Sequence, residues 1–426
     1  MKRYDNYKDS GIEWIGELPS HWKNTRIKFT VNEKNSLFID GDWIESKVIT
    51  EEGIRYITTG NVKVGYYSEQ GNGYISNQTF TDLNCTEVFE GDLILSRLNN
   101  PIGRACIVPN LNSRIVTSVD NVIYRPDSNL SKRYLLYLFS SKEYFEHTDL
   151  ISRGATMQRI SRGMLGNLKI PLPEIEEQTA IANYLDQKTS HIDDLIAKKE
   201  RLIQLLEEER TAIINKAVTK GLDPSVPMKD SGIEWLGEIP AHWEVKRMRY
   251  LSDITTGGKD TENREDDGIY PFYVRSQTVE RISTYSFDGE AILTAGDGVG
   301  VCKVWHYVNE KFDFHQRVYM LCNFRAVLGK YLFYYLKENF GKEVMKLSAK
   351  STVDSLRRPM FQNFLVCFGT IEEQNEIILK IEKEEQRIQT IIAKTQQEIE
   401  LLKEYKTALI SEVVTGKVDV RDEKLN

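Results

Sequence analysis

Residues 175–219 read IEEQTAIANYLDQKTSHIDDLIAKKERLIQLLEEERTAIINKAVT, and residues 371–415 read IEEQNEIILKIEKEEQRIQTIIAKTQQEIELLKEYKTALISEVVT. The two align without a gap at an offset of 196. Apolar residues coincide at Ile181/Ile377, Leu185/Ile381, Ile192/Ile388, Leu195/Ile391, Ile203/Ile399, Leu206/Leu402, Ile213/Leu409 and Ala217/Val413. Steps of three, four and seven place these residues on one helical face. Neither stretch contains Gly or Pro, so each reads as one helix of roughly 60 Å at 1.5 Å per residue. A helix of that length with an apolar stripe needs a partner in water. The chain supplies two of nearly equal length and pattern, so they are expected to pair with each other rather than with a coiled-coil arm of another chain.

A second, shorter repeat precedes each helix at a distance. KDSGIEWIGELPSHW (8–22) returns as KDSGIEWLGEIPAHW (229–243), with three conservative changes at Ile15/Leu236, Leu18/Ile239 and Ser20/Ala241. The chain therefore reads as two rounds of short repeat, variable insert and long helix. The expected divisions are a repeat at 1–22, an insert at 23–173, a helix at 174–220, a linker and second repeat at 221–243, an insert at 244–370, a helix at 371–416 and a tail at 417–426. The inserts differ in sequence, but FEGDLILSRLNNPIGRACIV (89–108) and FDGEAILTAGDGVGVCKVW (287–305) both read as strand, polar turn, strand. YLLYLF (134–139) and YLFYYL (331–336) are apolar enough to be buried. The fold class is α+β: two mixed α/β modules separated by a pair of long antiparallel coiled-coil helices, with an internal pseudo-two-fold repeat.

A chain of 426 residues with 40% hydrophobic and 28% charged residues is long enough for several cores and ordinary for a globular protein. No run of about 18 apolar residues exists to cross a membrane, and MKRYDNYKDSGIEW lacks the apolar core of a signal peptide. Five scattered cysteines with no C-x-x-C spacing point to a reducing, cytoplasmic setting. The net charge of −7 argues against a nucleic-acid ligand only until it is divided. Residues 23–173 and 244–370 each sum to +2, whereas 174–226 and 371–426 each sum to −4. Two mildly basic modules are joined to acidic segments.

Catalytic patterns are missing. The six histidines form no H-E-x-x-H or other metal spacing, and His21 and His242 are expected to pack or cap. Gly257-Gly258-Lys259 lacks the phosphate-loop frame, and the run Gly296 to Gly300 fails G-x-G-x-x-G because Val301 takes the last glycine position. No acid–base or nucleophile constellation stands out, so no catalytic and no metal residue is assigned. Basic and amide side chains instead cluster where each insert meets its helix: Arg153, Gln158, Arg159, Arg162, Asn167 and Lys169 in the first, and Lys342, Lys346, Lys350, Arg357, Arg358, Gln362 and Asn363 in the second. The strand–turn units add Arg97, Asn99, Asn100 and Arg104, then Lys303, Gln316 and Arg317. Arg and Lys satisfy phosphates and guanine edges, and Asn and Gln pair with adenine. DNA-binding candidates are therefore Arg97, Asn99, Asn100, Arg104, Arg153, Gln158, Arg159, Arg162, Lys303, Gln316, Arg317, Lys350, Arg357 and Arg358. Two rival readings are a self-sufficient DNA-modifying enzyme and a structural coiled-coil tether with two heads for ligands other than DNA.

The repeat D-S-G-I-E-W-[IL]-G-E-[LI]-P-x-H-W, a variable module, IPLPEIEEQTAIANYLD (170–186) and a long helix together resemble the specificity subunit of Type I restriction–modification systems. The resemblance spans essentially the whole chain, twice. It implies that the inserts are target recognition domains reading a bipartite, asymmetric site on double-stranded DNA, with the helices setting the gap. It also implies docking of two methyltransferase subunits and of restriction/translocase subunits. S-adenosylmethionine, ATP and magnesium would then belong to those partners, and no cofactor to this chain. Trp14, Trp22, Trp235 and Trp243 are the candidates for either core or partner docking. The second junction, VCFGTIEEQNEI (366–377), lacks the prolines of IPLP, so its helix is expected to start differently.

Overall fold

The computed structural model describes residues 2–71, 73–154, 158–346 and 355–423. Both long stretches are helices, Ile175–Lys220 and Ile371–Val414. The chain divides into two compact units, and the division cuts through both helices: unit 1 comprises residues 1–198 with 397–426, and unit 2 comprises 199–396. The compact units are thus not contiguous stretches of sequence, because each is completed by the far half of the other repeat's helix.

In unit 1 the start of the first helix lies in one core with the end of the second. Ile181, Leu185 and Ile192 are buried with Leu409, Ile410, Val413 and Val414, and Lys406 bonds Asp193 at 2.7 Å. In unit 2 the roles reverse. Leu206 is buried with Ile388 and Ile392, flanked by Ile203, Ile213 and Ile391, while Arg387 bonds Glu209 at 2.6 Å. End meets start in both units, so the pairing is intramolecular and antiparallel. One stripe position departs from expectation: Leu195 is exposed, and Ile196 packs against the core in its place. A helix of 3.6 residues per turn drifts against steps of seven, which moves the buried line by one residue over several turns.

The short repeat has the same form twice. Tyr7–Asp9 pairs with Glu17–Pro19, and Met228–Asp230 with Glu238–Pro240. Strand Lys23–Arg26 then pairs antiparallel with Lys169–Leu172, and Glu244–Arg247 with Leu365–Phe368. The insert between these strands is therefore closed by a two-stranded clasp at the foot of each long helix. Above the clasp the modules differ. The first carries two four-stranded sheets, one with a parallel pair between Ile115–Thr117 and Ile54–Ile57, and one wholly antiparallel around Asn121–Arg125. The second carries one six-stranded sheet centred on Phe287–Ala295. YLLYLF ends the helix Lys132–Leu138 with Phe139 as its C-cap, and YLFYYL lies on the helix Gly329–Lys346, each contributing to its unit's core.

Despite the missing prolines the second helix starts at the corresponding residue, Ile371 for Ile175, with the same glutamine contacts but a different cap. Gln178 accepts from Ser131 N–H at 2.8 Å and donates to the Pro173 carbonyl at 2.9 Å. Gln374 does the same with Leu328 N–H at 2.8 Å and the Gly369 carbonyl at 3.1 Å. At the second start, Thr370 and Glu373 bond each other's backbone N–H reciprocally, a capping box that supplies what proline rigidity supplies at the first.

Both long helices end at a glycine with φ near +75°, Gly221 and Gly416, a left-handed cap. A Cβ on Gly416 would stand 2.5 Å from Pro19 Cδ and 3.2 Å from the Trp22 ring, so both the conformation and the space require glycine. Past Gly416 the tail turns back over the N-terminus. Asp419 N–H donates to the Lys2 carbonyl at 2.9 Å, and Val418 and Val420 are buried with Tyr4 and Trp22.

Candidate nucleic-acid interface and partner surfaces

Polar groups that the apolar pattern does not reveal hold the base of each module. His21 of the repeat lies 2.9 Å from Glu177 in the first turn of its helix, and His242 lies 2.7 Å from Glu373. Burial opposes ionisation of Glu373, but bonds from His242, the Thr370 backbone and Trp243 outweigh it and hold the carboxyl below its usual range. Tyr134, fully buried, bonds the carbonyls of Pro171 and Val414 at 3.3 and 3.4 Å. Tyr331 bonds those of Cys367 and Val218, both at 2.9 Å. Each tyrosine thus ties the clasp strand to the end of the opposite long helix. The repeated Glu-Gln and the leading Tyr were visible in sequence, but the carbonyls that the two tyrosines bond lie 36 to 280 residues away.

The candidate DNA contacts of the first module come together. Leu98 and Arg159 form a bridge, Arg153 and Arg159 form another, and Asn99 N–H donates to the Gln158 carbonyl. The loop after strand Leu93–Ser96 therefore lies beside the segment leading into helix Arg162–Asn167. Asn100, Arg153, Arg159 and Arg162 are exposed there, with Asn99 and Gln158 half-buried. Arg162 approaches Asp40 at 3.4 Å. The side chains of Arg153 and Arg159 have no bond or ion pair to another described residue.

Arg97 and Arg104 need correction. Arg97 is 9% exposed, donates to the Val119 carbonyl at 2.7 Å and sits 3.4 Å from Asp40 and 3.7 Å from Asp120. Arg104 is 7% exposed and donates to four carbonyls, those of Val62, Leu98, Pro101 and Thr59, at 2.6 to 3.1 Å. The terminal nitrogens of both are committed to shaping the loop and both side chains are buried, so neither presents a guanidinium to a ligand. The Arg104→Ala substitution is expected to cost about 3 kcal/mol, because several buried carbonyls lose a charged donor together. Arg159→Ala should stay within about 0.5 kcal/mol of wild type, as exposed, unbonded positions do. Urea denaturation of both variants checks the contrast.

The second module repeats the arrangement with different residues. Asp297 bridges Ser355, and Leu356 N–H donates to the Gly296 carbonyl, matching Leu98–Arg159 and Ile160–Arg97 in the first. Gly296 to Gly300 is a loop between antiparallel strands rather than a nucleotide-binding turn. Lys303, Gln316, Arg317 and Arg357 are exposed around it. Arg275 and Arg317 both bond Asp297, at 2.9 and 2.8 Å. Burial raises the Asp297 pKa, but these two bonds prevail and keep its carboxyl below the ordinary value. Gln316 bonds Asp260 at 2.6 Å, and Arg358 turns back to the Ile254 carbonyl. Lys350 lies outside the described residues.

A family model described as Type I restriction modification DNA specificity domain matches residues 20–205 and again 240–401. The chain belongs to that family. A relative is the putative type I restriction enzyme MjaX specificity subunit of Methanocaldococcus jannaschii, 25% identical over 450 residues, covering 98% of this chain and 97% of that one. The EcoDI specificity subunit of Escherichia coli is 26% identical over 184 residues, 43% of this chain and 40% of that one. The fold is shared with a solved chain of the type I R-M system at TM-score 0.71, with 14% identity over 94% of this chain and 99% of that one. It is shared at TM-score 0.56 with the HsdS subunit of Thermoanaerobacter tengcongensis, at 14% identity over 94% and 98%. In this family member, no described helix is long and apolar enough to cross a membrane. Among the described residues, no group of His, Cys, Asp and Glu is placed to hold a metal ion.

The four repeat tryptophans divide two and two. Trp22 and Trp243 are 0% and 1% exposed and belong to the cores. Trp14 and Trp235 are half-buried. Trp235 stacks on Phe364 and lines a cleft of about 420 Å³ with Ile233, Glu343, Met360 and Asn363. Trp14 stacks on His147 beside a smaller cleft of about 130 Å³.

Proposed function

We propose that this chain is the DNA-recognition subunit of a restriction–modification assembly, in which each module reads one half of a bipartite, asymmetric site on double-stranded DNA. The observation that carries this reading is the matched pair of exposed loops in each module: Asn99, Asn100, Arg153 and Arg159 in the first, and Lys303 and Arg357 in the second, beside an Arg317 that Asp297 holds. Uncommitted cations and amides on adjacent loops suit phosphates and base edges, and different residues at corresponding places suit two different half-sites. The names of the relatives support the same reading. Trp14 and Trp235 would then serve two methyltransferase subunits, to which restriction/translocase subunits join. S-adenosylmethionine, ATP and magnesium act in those partners, in the cytoplasm, and this chain carries out no covalent step.

With only +2 on each insert, the chain alone is expected to bind DNA weakly and without sequence preference. Addition of the methyltransferase partner should produce tight, salt-sensitive binding to one site. Titration of labelled duplexes, with and without partner, checks this. Tight site-specific binding by the chain alone, unchanged by partner, overturns the division of labour. Methyl transfer by the chain alone overturns its non-catalytic role.

A further inference from the structure

The short repeat runs beyond its last tryptophan. Arg26-Ile27-Lys28-Phe29 stands where Arg247-Met248-Arg249-Tyr250 stands, at the same offset of 221 as the quoted repeat. In each unit a clasp strand ends and the chain makes one tight turn, Ile27–Phe29 or Met248–Tyr250. The second residue of each set is fully buried and anchors the turn. The other three point outward. Phe29 is 57% exposed and Tyr250 60%. Lys28 Nζ lies 5.1 Å from the Phe29 ring centroid, and Arg249 Cζ lies 5.1 Å from that of Tyr250. The side chains of Arg26, Lys28, Arg247 and Arg249 make no hydrogen bond or ion pair with another described residue.

Two exposed cations and an exposed ring are held at the same place twice, touching each other but making no hydrogen bond or ion pair within the described residues of either unit. Their surroundings show what they face. The first turn packs on helix Arg162–Asn167, where a Cβ on Gly166 would stand 3.4 Å from Lys28 Cβ. The second packs on helix Arg358–Asn363. Those short helices begin at the loops that carry Arg159 and Arg162, and Arg357 and Arg358. The cationic strip of each unit is therefore continuous with the loops assigned above to DNA.

The loops differ between modules, but these turns are alike, so their ligand must be the same at both half-sites. The phosphate backbone is the part of DNA that does not change with sequence. We propose that Arg26, Lys28 and Phe29, and Arg247, Arg249 and Tyr250, are paired phosphate clamps. They grip the backbone beside each half-site whatever its bases, the ring holding its neighbouring cation in place. This inference rests on the DNA-recognition reading.

The test uses the full chain in complex with its methyltransferase. In one variant Arg26, Lys28, Arg247 and Arg249 are all changed to Gln, and in a second the three arginines are changed to Lys. Affinity is measured for the cognate duplex and a scrambled one between roughly 50 and 200 mM salt. The Gln variant is expected to lose affinity for both duplexes in parallel, on the order of 100-fold near 0.1 M salt, with the log–log salt slope shallower by about 3 to 4. The Lys variant should keep the slope, and the methylated half-sites should stay the same in both. An unchanged slope, a loss confined to the cognate duplex, or a loss of methyltransferase association with an unchanged slope overturns the clamp; the last would make the turns a site for an acidic protein surface. A wild-type complex with no salt-sensitive DNA binding would instead strike the underlying DNA reading.

Discussion

A chain ending at Val226 is expected to form a homodimer through antiparallel helices. Unit 1 is completed by Leu409, Ile410, Val413, Val414, Val418 and Val420 from the second helix and tail, all of which the truncation removes. Re-covering six aliphatic side chains' worth of surface is worth on the order of 10 kcal/mol before ordering costs, at about 1.5–3 kcal/mol per fully buried residue. The end of the first helix is the substitute at hand. Ile213, Ile214, Ala217, Val218 and Leu222 occupy the corresponding positions. In unit 2, Ile214, Ala217 and Val218 already lie in one core with Trp243, the counterpart of Trp22. A second copy can therefore supply what the missing half supplied, though Ala217 replaces Val413 and Pro224 replaces Val420. Light scattering at tens of micromolar should report a dimer, and with methyltransferase present the methylated site should become a palindrome of the first half-site. A monomer, or methylation of the original asymmetric site, contradicts the expectation.

Trp22→Ala is expected to destabilise unit 1 by about 3–5 kcal/mol, the range for a large aromatic removed from a closed core. That is a large share of the 5–15 kcal/mol that typical domains hold in reserve. Trp22 is fully buried, meets Tyr4 edge-on at 5.9 Å and lies against the end of the second helix. Its loss opens the repeat, both helix ends and the tail together. Trp14→Ala should cost much less, because that ring is half-buried and contacts Tyr144 and His147 at one side. The measurable consequence of Trp14→Ala should instead be weaker methyltransferase association. Urea midpoints for the two variants, with a pull-down against the partner, separate the roles; equal destabilisation would place both tryptophans in the core.

The sequence by itself determined the architecture. Helix length, the shared apolar stripe and the repeats around Trp14/Trp235 and Trp22/Trp243 are local or periodic patterns, and side-chain periodicity is a direct consequence of backbone geometry. It also located the two loop regions that meet in each module, because clusters such as Arg153 to Arg162 are contiguous. What only the tertiary structure decided is which side chains are free to act. Arg97 and Arg159 are the same residue type in neighbouring loops, yet one is enclosed by Asp40, Asp120 and a carbonyl while the other stands in solvent. A side chain's availability depends on hydrogen-bond partners distant in the chain, which no spacing rule encodes. The same reason hid Gln178, Gln374, Tyr134 and Tyr331: their hydrogen-bond partners come together only on folding. It also decided that each compact unit is closed by the opposite helix's end, since apolar stripes of equal pattern state that they must be covered, and only the folded chain states by what.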